Sequence, residues 1–257
     1  MHIGRRQWIR TLTLCGISAA VLPRQARSAG TLRFETEGAG PDLLVGHPIT
    51  LAPDAAKVSR GYIDRLRDRY RVTVMENPAT VVPPELNTVE NVVSEILAVA
   101  DAANADRFAW YGFSIGAVTG IQLALRTNRL TAFVCGGWSP LDGPYAAASA
   151  ATEWSAANGG SSAGAVFYRS LLKDWSEREA IQKIRCPRMA FAGTNDTFTA
   201  VGHDVRIGPT LAERKNELER MGWTVRLVDG FGHELGQRPE DAVPVIRTFL
   251  DPLLLKA

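Results

Sequence analysis

Short apolar runs alternate with longer amphipathic segments along the chain from residue 31 onward. The runs at 71–75, 130–136 and 188–193 have the length and apolar character of buried strands, whereas 88–103 carries apolar residues at helical spacing. Strands that alternate with helices form a mostly parallel sheet with helices on both faces. Because crossovers between parallel strands are right-handed, the sequence predicts a doubly wound α/β domain.

One stretch interrupts this alternation. Residues 139–185 lie between two predicted strands and contain no convincing strand of their own, while 146–158 and 164–173 have helical patterns. Open α/β sheets bind ligands at the carboxyl ends of their strands. We therefore expect a small helical cap insertion over that edge of the sheet, and the alternative is a surface excursion with no part in binding.

The first 28 residues contain five arginines and no acidic residue. Residues 5–10 read RRQWIR, and the mildly apolar run that follows at 11–22 is too short to span a bilayer. This arrangement resembles a twin-arginine export signal. The resemblance implies cleavage after Ser28, the twin-arginine export machinery as a partner, and a periplasmic or secreted domain at 29–257. The alternative is a basic N-terminal tail.

Charge and composition exclude several classes of partner. The 29 Lys and Arg residues against 27 Asp and Glu residues give a net charge of +2, and removing the five arginines of the first 28 residues leaves −3. Neither value would hold a nucleic-acid backbone, so we expect no nucleic-acid partner. No segment after residue 28 has the pattern of a stable membrane insertion. The sequence also has no phosphate-binding glycine loop and no metal-ligand cluster.

Residues 112–116 read GFSIG and satisfy the pattern G-x-S-x-G. The motif ends a predicted strand at 107–112 and opens a predicted helix at 114–127. A sharp strand-to-helix turn strains the serine backbone, and the flanking glycines let the strand and the helix approach closely. A helix N-terminus also favours developing negative charge. The context predicts Ser114 as a nucleophile, and the alternative is a simple turn that begins a helix.

A serine hydroxyl needs a base to take its proton and a third group to orient that base. Three histidines follow the first 28 residues, namely His47, His203 and His233. His233 lies just after the last predicted strand, and Asp196 comes directly after the strand before it. Their positions favour His233 as the base and Asp196 as the acid. The alternatives that the sequence leaves open are His203, Asp204 and Asp229.

The chain order Ser114, Asp196, His233, with each residue beyond a separate predicted strand, resembles that of the α/β-hydrolase family. The resemblance extends over roughly residues 31–255. It implies an α/β-hydrolase fold in which these residues are the nucleophile, the acid and the general base of acyl transfer, with no metal and no organic cofactor. Only about a dozen residues separate Ser28 from Leu43, which is too few for the usual first strand. We therefore expect about seven strands.

The oxyanion hole departs from the family pattern. Relatives often carry His-Gly after the early strand, where a backbone N–H joins the N–H of the residue after the nucleophile. Here the order is Gly46, His47, Pro48, and proline has no N–H to donate. Ile115 is therefore the firm candidate for one donor, and His47 or Ile49 has to supply the second.

The resemblance implies an exported serine hydrolase of the carboxylesterase type. Its substrate would be a small uncharged or hydrophobic molecule with an ester or related acyl bond. Phe113, next to the nucleophile, and Trp138, at a strand end, are the predicted pocket residues. Lactone hydrolysis, carbon–carbon bond hydrolysis, and perhydrolase or cofactor-free haloperoxidase activity would use the same three catalytic residues. The competing class is a non-catalytic binding protein on the same fold, which the Pro48 departure suggests.

Overall fold

The computed structural model describes residues 24–27, 32–46 and 55–255. Eight strands of these ranges form one sheet in the order β1-β2-β4-β3-β5-β6-β7-β10, and β8 pairs with β9 in a separate hairpin. The strands are β1 Arg24–Arg27, β2 Arg33–Glu37, β3 Asp42–Val45, β4 Arg71–Met75, β5 Phe108–Phe113, β6 Leu130–Gly136, β7 Arg188–Gly193, β8 Thr197–Ala200, β9 His203–Arg206 and β10 Trp223–Val228.

Helices of the described ranges cover both faces of the sheet. They are α1 Ala55–Leu66, α2 Pro78–Val81, α3 Val89–Ala102, α4 Ile115–Arg126, α5 Tyr145–Ala157, α6 Ala163–Leu172, α7 Glu177–Lys183, α8 Ile207–Arg220 and α9 Pro239–Leu254. Two 3-10 turns lie at Pro84–Leu86 and His233–Gln237. Thr88 caps the N-terminus of α3, since its hydroxyl accepts a hydrogen bond from the Asn91 N–H at 3.3 Å. None of these helices is long and apolar enough to cross a bilayer.

The sheet is mostly parallel. The strands β3 to β7 and β10 all run parallel to one another, and β2 runs antiparallel to β4. The central parallel strands β5, β6 and β7 are almost entirely buried, which explains why they appear in the sequence as continuous apolar runs. Within the described residues, β2 to β7 and β10 make up seven strands from residue 33 onward. The predicted doubly wound sheet of about seven strands is confirmed.

Alternation along β5 divides the core into two parts, one on each face of the sheet. Trp110 packs on the face covered by α3, α4 and α8. Its neighbours Tyr111 and Phe113 pack on the opposite face, against α1 and α9. All three side chains are buried. The last strand residue before Ser114 therefore points into the α1 and α9 side of the core.

Three helices, α5, α6 and α7, occupy the segment between β6 and β7. The first two match the predicted helical segments, whereas the short, charged α7 was not predicted. Glu177 begins α7 and accepts backbone hydrogen bonds from Asp142 at 2.6 Å and Gly143 at 3.0 Å. Burial raises the pKa of Glu177 to about 7. This carboxyl group ties the helical segment to the chain that leaves β6.

The hairpin of β8 and β9, which contains His203, is a second element that was not predicted. Residues opposite one another include Thr197 with Arg206 and Ala200 with His203. Most side chains on both faces of the hairpin are exposed. Thr197–Ala200 alternates polar and apolar residues, but each strand has only four residues and β9 does not alternate. The sequence therefore carries too short a pattern to reveal the hairpin.

The N-terminal strand β1 lies inside the segment predicted to be a cleaved leader. It pairs antiparallel with β2, with Arg24 opposite Thr36 and Arg27 opposite Arg33. The remaining residues of that segment, 1–23 and Ser28, lie outside the described residues, so cleavage after Ser28 remains a prediction. Cleavage there would remove β1 and leave the seven strands that begin with β2.

Candidate active site

Ser114 lies in the sharp turn between β5 and α4. Its backbone has a φ of 54° and a ψ of −118°. A non-glycine residue in such a region stores about 1–3 kcal/mol of strain. A Cβ atom at Gly112 would lie 2.0 Å from the Gly116 carbonyl oxygen. Only glycine at 112 therefore lets the strand pass this close to the first turn of the helix.

Three hydrogen bonds hold this turn in place. The Ser114 N–H donates to the Gly136 carbonyl at the end of β6, at 2.8 Å. The buried indole N–H of Trp110 donates to the Gly116 carbonyl at 3.1 Å. The Ala117 N–H donates to the Ser114 carbonyl at 2.9 Å. The serine is thus fixed from its own strand, from the neighbouring strand and from the helix that follows.

His233 approaches the serine from the 3-10 turn that follows β10. Its Nε2 atom lies 3.0 Å from Ser114 Oγ, and its side chain is 25% exposed. The imidazole contacts the ring of Phe113, with centroids 5.2 Å apart, and the ring of Phe198 in β8, with centroids 5.1 Å apart. Phe198 was not predicted as a site residue, because nothing in the sequence indicated that the hairpin lies against the histidine.

Asp196 completes a chain of hydrogen bonds behind His233. Both of its carboxylate oxygens lie 3.0 Å from His233 Nδ1, and the side chain is fully buried. The Gly208 N–H donates to the Asp196 carbonyl at 3.1 Å, and the Asn195 N–H donates to the Phe231 carbonyl at 2.9 Å. These backbone bonds link the loop that carries Asp196 to α8 and to the loop before His233.

This arrangement can activate a serine for nucleophilic attack. When the N–H at His233 Nδ1 donates a hydrogen bond to the Asp196 carboxylate, Nε2 is free to accept the proton of Ser114. The buried charge of Asp196 then stabilises the imidazolium that forms, and burial strengthens that interaction. Ser114, His233 and Asp196 are therefore brought within hydrogen-bond reach of one another, in the order that nucleophilic catalysis needs.

The alternative residues left open by the sequence are placed elsewhere. His203 begins β9 and is exposed. Asp204 and Asp229 are also exposed, and each accepts a hydrogen bond from a threonine hydroxyl. Among the described residues, the side chain that orients His233 is Asp196.

The sequence matches no protein-family model and no curated protein. Its structure is similar to that of an E-2-(acetamidomethylene)succinate hydrolase, with 17% identity and a TM-score of 0.66 over 90% of this chain and 99% of that one. It is similar to a thermophilic esterase from Thermogutta terrifontis, with 15% identity and a TM-score of 0.68 over 91% and 100%. An α/β hydrolase from a lagoon-sediment metagenome of Mar Chica, Morocco, gives 16% identity and a TM-score of 0.63 over 90% and 98%. The chain has the α/β-hydrolase fold.

Of the candidate oxyanion donors in this α/β-hydrolase fold, Ile115 lies within the described residues. Ile115 is the first residue of α4, where N–H groups have no partner inside the helix. Its N–H directly follows Ser114 and is available to a negatively charged oxygen. His47, Pro48 and Ile49 lie outside the described residues, so the second donor remains a prediction. The chain enters that segment from Gly46, whose N–H donates to the Tyr111 carbonyl at 2.7 Å.

A cavity of about 40 Å³ borders the elbow of the α/β-hydrolase fold. The elbow residues that line it include Ile115, and its apolar walls include Met75, Val92, Ile96 and Phe167. Met75, Val92 and Ile96 were not predicted as pocket residues, although Val92 and Ile96 share one face of α3 through their spacing of four. The cavity is a narrow apolar space beside the turn that carries Ser114.

The predicted pocket residues Phe113 and Trp138 are not among the described residues that line this cavity. Phe113 is fully buried, and its ring contacts His233 and Phe191. Trp138 is almost fully buried and packs edge-on against Tyr145, with centroids 5.1 Å apart. Both side chains are packed in the core of the described structure, and their contact with a substrate stays a prediction.

The part of the chain that the structure describes contains no cluster of three or more His, Cys, Asp or Glu side chains arranged to hold a metal ion.

Proposed function

We propose that this chain is a serine hydrolase that cleaves a carboxylic ester, or a related acyl bond, of a small uncharged or hydrophobic substrate. The observation that carries the proposal is the continuous hydrogen-bond chain from Ser114 Oγ through His233 to the buried Asp196. The strained elbow supports it, because strain of this kind persists where function requires it. The likeness to solved hydrolases supports the fold of the proposal and not its substrate.

In the proposed reaction Ser114 Oγ attacks the carbonyl carbon while its proton moves to His233 Nε2. The carbonyl oxygen becomes an oxyanion, which accepts a hydrogen bond from the Ile115 N–H. Collapse of the tetrahedral intermediate expels the alcohol, which takes the proton from His233 and leaves an acyl-enzyme. Water then attacks the acyl-enzyme with His233 as the base, and the carboxylic acid leaves.

Other substrates would use the same steps. Lactone, thioester and carbon–carbon bond hydrolysis, and perhydrolase or cofactor-free haloperoxidase activity, all begin with the same nucleophile. A non-catalytic binding protein on this fold is the competing class. Its basis is Pro48, because a missing oxyanion donor typically costs about 2.7–4 kcal/mol of transition-state stabilisation.

The test is labelling of the purified protein with a fluorophosphonate probe, followed by peptide mapping. We expect one adduct, on Ser114, and hydrolysis of a short-chain aryl ester. His233→Ala should abolish both the adduct and turnover. Ser94→Ala, at an exposed serine of α3, is the matched control and should label like the wild type. Equal turnover by Ser114→Ala would refute the proposal, and a folded but unlabelled wild type would favour the binding class.

We also propose that residues 1–28 direct the chain through the twin-arginine export machinery to the periplasm or the cell exterior. The support is the ordered run RRQWIR at 5–10, followed by a short apolar segment. The test is expression of the full chain in a bacterium, with cell fractionation and N-terminal sequencing. Replacing Arg5 and Arg6 by Lys should retain the protein in the cytoplasm, whereas replacing Arg24 and Arg27 should not. A wild-type protein that keeps Met1 and stays in the cytoplasm would contradict the proposal.

A further inference from the structure

A pair of buried tyrosine hydroxyls lies behind the turn that carries His233. Tyr62 of α1 donates a hydrogen bond to the Gly236 carbonyl at 3.0 Å. The Tyr62 oxygen also lies 2.9 Å from the hydroxyl of Tyr111, which is in β5 three residues before Ser114. Both tyrosines are fully buried. The hydroxyls therefore join three separate elements, namely α1, the nucleophile strand and the histidine turn.

The direction of these hydrogen bonds follows from the acceptor at one end. A carbonyl oxygen can only accept, so the Tyr62 proton points to Gly236. The Tyr62 oxygen is then the acceptor for the Tyr111 proton. Burial raises the pKa of both tyrosines well above the ordinary value, so both hydroxyls keep their protons across the working pH range. The hydrogen bonds therefore run from the Tyr111 hydroxyl to the Tyr62 oxygen, and from the Tyr62 hydroxyl to the Gly236 carbonyl.

The same turn is restrained on its other side by Phe113. A Cβ atom at Gly236 would lie 2.4 Å from the Phe113 ring, so the backbone of the turn rests directly on that ring. Phe113 in turn contacts the His233 imidazole. Gly236 lies in the 3-10 turn that begins at His233. The backbone of the turn is therefore held by the Phe113 ring on one side and by the hydrogen bond from Tyr62 to the Gly236 carbonyl on the other.

We propose that Tyr62 is a positioning residue that holds the His233 turn at the correct distance from Ser114, and that Tyr111 orients the Tyr62 hydroxyl. The catalytic consequence rests on the proposed serine hydrolase function. Neither hydroxyl bonds to the imidazole or the serine, so both act through the backbone of the turn. A small displacement of a base from its nucleophile is costly, since misplacement by about 1 Å can cost a hundredfold in rate.

The test compares three Tyr→Phe variants in short-chain aryl ester hydrolysis. Tyr62→Phe leaves the Gly236 carbonyl and the Tyr111 hydroxyl without a partner, and should lower kcat about tenfold or more with KM within twofold of the wild type. Tyr111→Phe keeps the bond to Gly236 and should lower kcat only about twofold to threefold. Tyr70→Phe is the matched control. It removes a hydroxyl of another buried tyrosine, which donates to Asp251 in α9, and should lower the denaturation midpoint without changing kcat.

Several outcomes would overturn the proposal. A kcat for Tyr62→Phe within twofold of the wild type would do so, and so would equal losses of kcat in Tyr62→Phe and Tyr70→Phe. If Tyr62→Phe does not fold, Tyr111→Phe becomes the deciding variant. An unchanged kcat in Tyr111→Phe then rejects the positioning role of the two tyrosines.

A second readout separates this proposal from the proposed function. The ring proton that His233 Nδ1 shares with Asp196 is observable by proton NMR without any substrate. Tyr62→Phe should speed its exchange with water at least fivefold, while Tyr70→Phe leaves it unchanged. If the wild type hydrolyses nothing and takes no fluorophosphonate, while Tyr62→Phe still speeds this exchange, the hydrolase function fails and the positioning role stands. Unchanged exchange in folded Tyr62→Phe rejects the positioning role.

Discussion

Replacing Asp196 by Asn is the sharpest probe of the catalytic chain. Both carboxylate oxygens of Asp196 lie 3.0 Å from His233 Nδ1, and the side chain is fully buried. An asparagine of nearly the same shape would fill the space without the charge. Its amide NH2 can also donate to Nδ1, which moves the imidazole proton to Nε2, where it blocks acceptance of the Ser114 proton.

The geometry sets the size of the expected loss. Two unit charges 3.0 Å apart attract by about 5 kcal/mol at an effective dielectric constant of about 20. The ion pair between His233 and Asp196 exists only after the serine proton has moved, so nearly all of that energy lowers the barrier and little of it stabilises the resting enzyme. At about 1.4 kcal/mol for each factor of ten, kcat should fall by between three and four orders of magnitude.

The assay is hydrolysis of a short-chain aryl ester under saturating substrate, with urea unfolding of the same samples. Asp196→Asn should unfold within about 1 kcal/mol of the wild type, because the side-chain volume is kept. Asp229→Asn, at an exposed aspartate beyond β10, is the matched control and should retain full kcat. A kcat for Asp196→Asn within tenfold of the wild type would refute the electrostatic reasoning.

Three further predictions concern the elbow, the helical segment and the cavity. Gly112→Ala places a Cβ 2.0 Å from the Gly116 carbonyl, and urea unfolding should show a loss of about 2–3 kcal/mol, together with loss of fluorophosphonate labelling. Because the folded pKa of Glu177 is about 7 against an ordinary 4.5, its ionisation disfavours the folded state. The free energy of unfolding should therefore fall between pH 4.5 and 7, by about 2 kcal/mol more in the wild type than in Glu177→Gln once solvent screening is allowed for. Phe167→Leu shortens a cavity wall and should raise kcat/KM for hexanoyl relative to acetyl aryl esters about fivefold.

Much of the fold follows from the sequence because its strands are buried on both faces. The strands β4, β6 and β7 begin and end at the residues that their apolar runs indicate. The hairpin of β8 and β9 was missed because each strand has only four mostly exposed residues, and β9 shows no alternation of polar and apolar residues. The helix α7 was missed for a related reason, since seven mostly polar residues are too few to show a helical period.

The positions of Ser114, Asp196 and His233 could be predicted because the carboxyl ends of parallel strands meet at one edge of a sheet. The surroundings of the site were harder to predict. Phe113 was assigned to the pocket because it adjoins the nucleophile in sequence. Alternation along β5 puts it on the same face as Tyr111, within the core against α1 and α9, where its ring contacts His233. Its contact with a substrate stays a prediction.

The short strand β1 gives the proposed leader a structural role in addition to directing export. While β1 is present, it covers the outer edge of β2. Cleavage after Ser28 would expose the backbone N–H and C=O groups of that edge, which could then pair with a strand of another molecule. Three of the five residues of β2 are charged, namely Arg33, Glu35 and Glu37, and Arg60 forms ion pairs with both glutamates. The leader would thus cover this edge of the sheet before export, and the charged side chains of β2 would guard it against strand pairing in the processed chain.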